Sequence, residues 1–126
     1  MGIVNSQLTT SQLDILGVEL STPGGVPEGE EFGITNILVC NTYSDSAPDA
    51  SDHSATFDMH LVPAGKPLAS KVTCVIRNLT LPAGETFTFD NEKIVLKEGD
   101  RIVFIATPDI GSGNTDLAAT VSYLEV

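Results

Sequence analysis

Two histidines and a group of aspartates are the residues of this chain best suited to chemistry. His53 and His60 fall close in sequence to Asp49, Asp52 and Asp58. Imidazole and carboxylate groups grip divalent metals and pass protons near neutral pH. Asp58 and His60 stand two positions apart, so on a strand they project from one face and offer two ligands side by side. Zinc and copper sites want three or four ligands, and spacing places only these two. The expectation for Asp58 and His60 is therefore a solvated outward face, with no metal and no cofactor. The aspartates of the 45–52 stretch lack the alternating ligands and central glycine of a calcium loop. Nucleophilic catalysis fares no better. No serine occupies a Gly-x-Ser-x-Gly elbow. Cys40 and Cys74 each lie in an apolar run, which predicts two small buried hydrophobes. No catalytic residue is assigned, and the chain is expected not to be an enzyme.

The elements that would have to position such residues are strands. The clearest is Ala55 to Leu61. Ala55, Phe57, Met59 and Leu61 fall on one face of a two-residue repeat, and Thr56, Asp58 and His60 on the other. The remaining strands are expected at 14–20, 32–41, 71–81, 86–89, 93–96, 100–106 and 117–124. The second of these is apolar on both sides, as suits a strand inside a sandwich. Pro82-Ala-Gly84 and Glu98-Gly-Asp100 reverse the chain between strands. Residues 42–54 and 108–114 are expected to be loops. Nothing shows a sustained helical period. Short strands at regular spacing indicate a two-sheet sandwich or a small barrel.

Charge narrows the partners. Seventeen acidic against six basic residues give a net charge of −11 over 126 residues. Such a surface repels a phosphate backbone and an anionic bilayer, so neither nucleic acid nor membrane is an expected partner. It favours solubility at high copy number, or a cationic protein partner. The N-terminus lacks the basic and apolar regions of a secretory signal, so the chain is expected to fold in a cytoplasm. That makes the sequon Asn78-Leu-Thr80 and the acylation-like Met1-Gly-Ile-Val-Asn-Ser6 accidental matches. Gly111-Ser-Gly-Asn114 is expected to be a plain loop, because no helix opens after it to form a phosphate cradle.

From Glu19 to Val126 the succession of strands and turns resembles small β-sandwich virion structural proteins of tailed bacteriophages. The resemblance rests on Pro23-Gly-Gly25, Ile37-Leu-Val-Cys-Asn-Thr42, Leu61-Val-Pro-Ala-Gly65, Leu79-Thr-Leu-Pro-Ala-Gly-Glu-Thr86, the run from Ile94 to Ile102, and Val121-Ser-Tyr-Leu-Glu-Val126. It implies a cofactor-free oligomer that decorates the capsid or sits at the neck, tail or baseplate. The acidic loop from Tyr43 to His53 departs from that pattern and leaves a metal or partner role there open. The resulting expectation is all-β: one antiparallel, jelly-roll-like two-sheet sandwich of about eight strands over residues 14–126, preceded by an arm at 1–13. Ile3, Val4 and Leu8 on that arm would be costly to leave in water together, so the arm is expected to pack on a neighbouring subunit or a capsid. The expected function is a homo-oligomeric capsid decoration protein, located in the virion after assembly in the host cytoplasm, with other virion proteins as partners. A tail, neck or baseplate component is the alternative. A glycan- or receptor-binding module is the rival from another class, with Tyr43 its one aromatic candidate.

Overall fold

A computed structural model describes residues 2–14, 25–69, 71–89 and 94–125. Nine strands are present in it: β1 (Gly2–Thr9), β2 (Leu13–Asp14), β3 (Glu31–Asn41), β4 (Ala55–Val62), β5 (Cys74–Leu81), β6 (Thr86–Phe89), β7 (Ile94–Lys97), β8 (Arg101–Thr107) and β9 (Asn114–Glu125). A 3-10 turn, Ala50–Asp52, lies in the loop between β3 and β4. The strand expected at 14–20 lies, beyond Asp14, outside the described residues.

The strands form two antiparallel sheets packed on one another, of five and four strands. Pairing joins the beginning of the chain to its end and works inward: β1 with β9, β2 with β8, β3 with β6 and β7, β4 with β5. Thr86–Phe89 lie opposite Ile37–Cys40, and Ile94–Lys97 opposite Glu31–Ile34, so β6 and β7 together fill one strand position beside β3. Counted that way, the sheet orders β1-β9-β3-β6/β7 and β2-β8-β4-β5 are those of an eight-stranded jelly roll. A long hairpin folded on itself and rolled up gives this order.

Alternation explains which face each strand buries. Thr115, Leu117, Ala119 and Val121 on β9 are fully buried, while the residues between them face out. Strand β3 carries apolar residues on both faces but is buried on one, with Leu38 and Cys40 on the outer side. Phe32 and Ile34 point inward, then Ile37 and Val39, because the pairing with β9 skips a residue between Ile34 and Asn36. That bulge shifts the pleat by one position and keeps one face buried on both sides of it. Phe57 and Phe104 fill the centre with ring centroids 6.1 Å apart, and Phe87 approaches Phe57 at the same separation.

The N-terminal segment differs from the expected arm. It is the edge strand β1, in register with β9 from Gly2↔Tyr123 to Gln7↔Ala118. Val4 and Leu8 are 5% and 0% exposed and belong to the core, so they are not available to a neighbour. Of the three residues expected at an interface, only Ile3 faces outward. The physical reason is register: Val4 and Leu8 lie an even number of positions apart and share the inward face, with Ser6 between them.

Candidate functional site

One end of the sandwich gathers the loops after β3, β5 and β8, and with them Asp45, Asp49, Asp52, Glu85 and Asp109. No lysine or arginine occurs in these loops. Their anchor is Asn41, the last residue of β3, which has no exposed surface. Its Nδ2 donates to the carbonyls of His53 (2.8 Å) and Leu81 (2.9 Å), and its Oδ1 accepts from the Tyr43 N–H (3.1 Å). Its own N–H donates to Glu85 O, and its carbonyl accepts from Gly84 N–H. One residue thus holds three pieces together: its side chain ties the acidic loop to the end of β5, and its backbone ties in the Pro82–Glu85 turn. Gly84 is required in that turn: its φ is +81°, and a Cβ there would come within 2.9 Å of the Asp45 Cβ.

On this anchor sits a polar cluster. The Tyr43 ring stacks flat on His53 at 3.6 Å between centroids, and its hydroxyl donates to Asp49 Oδ1 at 2.7 Å. His53 stands between two carboxylates, Nε2 3.4 Å from Asp49 Oδ2 and Nδ1 3.2 Å from Asp116 Oδ2. The hydrogen bond to Asp49 raises the pKa of the Tyr43 hydroxyl, and the same bond holds the Asp49 carboxyl below its ordinary value. Chemically the arrangement is a clasp. With both ring nitrogens facing carboxylates, His53 is not placed to activate a nucleophile, and it fastens the loop to the start of β9. One face of Tyr43 is covered by His53, which removes half of the ring as a stacking platform for a sugar.

His60 is not on a solvated face. It points outward from its sheet, as alternation predicts, but the segment between β4 and β5 folds over it and leaves it 1% exposed. Its Nδ1 lies 2.9 Å from Thr73 Oγ1, which donates to Ala69 O (3.0 Å) and accepts from Ala69 N–H (3.2 Å). Thr73 has one proton, used on Ala69, so His60 Nδ1 carries the hydrogen and donates. Arg101 fastens the same segment from its other side, with Nη1 3.2 Å from Asp14 Oδ2 and Nη2 3.4 Å from Lys66 O. Asp58 accepts from the Asn78 N–H at 2.7 Å and faces Arg77 at 3.8 Å. Asp58 and His60, weighed as a ligand pair and expected on a solvated face, are each engaged by protein groups, and among the described residues no cluster of three or more His, Cys, Asp or Glu is arranged to hold a metal.

Burial lowers the His60 pKa, since charging the ring there costs hydration. The folded state then binds a proton less readily than the unfolded chain, whose imidazole titrates near about 6.5. Stability is full above that pH and falls as the pH drops through it toward the lower folded value. The His60→Asn variant is expected to lack this component. Denaturation midpoints of wild type and variant at mildly acidic and at neutral pH check it: the gap between the two proteins changes with pH if His60 is the titrating group.

Cys40 and Cys74 are half-buried and free, on different sheets, and not the fully buried hydrophobes expected. Cys40 faces outward because Val39 and Asn41 take the inward positions beside it. In the β8–β9 loop, Asp109 Oδ1 accepts from Gly111 N–H (2.7 Å) and Gly113 N–H (3.0 Å), so this glycine-rich loop is capped by its own carboxylate. Asn78 takes a left-handed φ of 53° at an irregularity in β5. Two depressions flank β5, one of about 390 Å³ lined by Lys71, Cys74, Val75 and Arg77, the other of about 360 Å³ over Pro67 and Val72. Neither contains an acid–base pair.

Asn41, Asp116, Thr73 and Arg101 are the site residues that sequence reading missed. Asn41 had a signal: it occupies the next inward position after Ile37 and Val39, where a polar residue in a buried row needs partners. No protein-family model, curated protein or solved structure matches this chain.

Proposed function

We propose that this protein is a non-enzymatic structural component of a tailed-phage virion, a homo-oligomer that adds to the surface of an assembled particle as a capsid decoration protein. The observation that carries the reading is the jelly-roll sheet order, an architecture that recurs in viral capsid domains. The polar residues agree with it: Asn41, His53, Thr73, Arg101 and Asp109 all hold loops in place. The loop surface that Asn41, His53 and Asp109 hold is acidic and suited to a cationic patch on a neighbouring protein. A neck, tail or baseplate position is the same reading at another location.

Quantitative mass spectrometry of purified phage particles tests this. The chain is expected in the particles in many copies if it decorates the capsid, and in a few copies if it belongs to the neck, tail or baseplate. Its absence from particles ends the reading. A glycan array serves as the counter-test, and specific retention of one sugar class would favour the recognition module instead.

A further inference from the structure

We infer that copies of this chain contact one another through the outer face of the five-stranded sheet. Among the described residues, no outward position on β1, β9, β3, β6 or β7 carries a charge between the Glu31–Lys97 pair at one margin and Asp116 at the other. The middle row across the sheet runs Asn5, Thr120, Leu38, Thr88. Ile3, Val95 and Leu124 on this face are 61%, 48% and 44% exposed. The outer face of the other sheet is different, since it carries the Arg101–Asp14 and Arg77–Asp58 pairs.

Charge identifies the occupant. The chain carries 23 charged residues and a net charge of −11. A cationic partner would be drawn to the acidic loop end, where its charge is matched. A second copy brings the same negative charge, and meets least repulsion where both surfaces are neutral. Depletion of charged residues is also what separates the buried centre of an interface from the rest of a protein surface. Strand β1 extends this neutral surface to the sheet edge: Gly2 to Thr9 contains no charge and no proline, and its pairing with β9 is regular from Gly2 to Gln7. The described edge of the other sheet differs: β5 bears Arg77, which pairs with Asp58 on β4.

The inference deepens the oligomeric part of the proposed function and does not need the virion. Sedimentation equilibrium of the full chain tests it. Wild type is expected at a multiple of its 13.3 kDa chain mass. Leu38→Lys and, separately, Asn5→Lys put like charges on both sides of the contact and are expected to return the mass to that of one chain, with melting retained. Asn5 is exposed, so that variant stays folded even if Leu38→Lys does not. Val72→Lys, at an 83% exposed position between β4 and β5, is expected to leave the mass unchanged. A single-chain mass for wild type overturns the inference. So does a folded Asn5→Lys that keeps the wild-type mass, or a loss of assembly in Val72→Lys. A chain that assembles through this face yet is missing from particles keeps the inference and ends the virion reading.

Discussion

Asn41→Leu is expected to lower the stability of the fold by about 3–5 kcal/mol. The substitution leaves the His53 and Leu81 carbonyls and the Tyr43 N–H without their partner. Each buried polar group left unpaired costs about 1–3 kcal/mol, and water recovers part of this where the group lies near the surface. Against a total of about 5–15 kcal/mol for a domain, such a loss is severe. Asn41→Asp makes a sharper comparison. It keeps the acceptor for Tyr43 but replaces the amide donor with a second oxygen, which then faces two carbonyls. It is expected to be at least as damaging as leucine, and more so at neutral than at acid pH, because the charged form is the one that cannot be accommodated. Urea denaturation of the three proteins measures the effect. A loss below about 1 kcal/mol for either variant would mean that the anchor is dispensable.

Leu8→Ala is expected to cost about 2–5 kcal/mol, the range for truncating a buried leucine with incomplete collapse of the cavity. Leu8 has no exposed surface, and its carbonyl also accepts the Thr115 hydroxyl at 2.9 Å. An arm reaching to another molecule would behave otherwise: the same change in the isolated chain would fall within about 0.5 kcal/mol. Denaturation at several protein concentrations separates the two, since loss of an intermolecular contact would depend on concentration and loss of a core residue would not.

Much of the fold was legible because a two-residue period is easy to see where large apolar side chains mark it. Ala55 to Leu61 reads as a strand at once, and the turns at Pro82–Gly84 and Glu98–Asp100 fall where proline, glycine and aspartate place them. Strand β1 was not legible for the same reason inverted. Its inward row is Val4, Ser6, Leu8, with a polar residue in the middle, and Ile3 puts an apolar group on the outward side. The strand is defined by its pairing with β9, more than a hundred residues away, and no local pattern records that. The candidate site was legible only in part. The aspartates and His53 could be named from composition, but Asp116 joins them through the roll of the chain. His60 illustrates the opposite error: its alternation was read correctly, and its burial comes from a loop laid over the outer face, which periodicity does not show.

Pairing the first strand with the last has a consequence for biosynthesis. β1 emerges from the ribosome early but finds its hydrogen-bonding neighbour only when β9 is complete, and β2 likewise waits for β8. A chain stopped before residue 114 leaves Val4 and Leu8 on a strand without its hydrogen-bonding partner. Topologies of such high contact order fold slowly, in roughly milliseconds to seconds. Premature termination should yield a product that chaperones and proteases recognise as unfolded, which leaves finished chains as the pool from which any assembly draws.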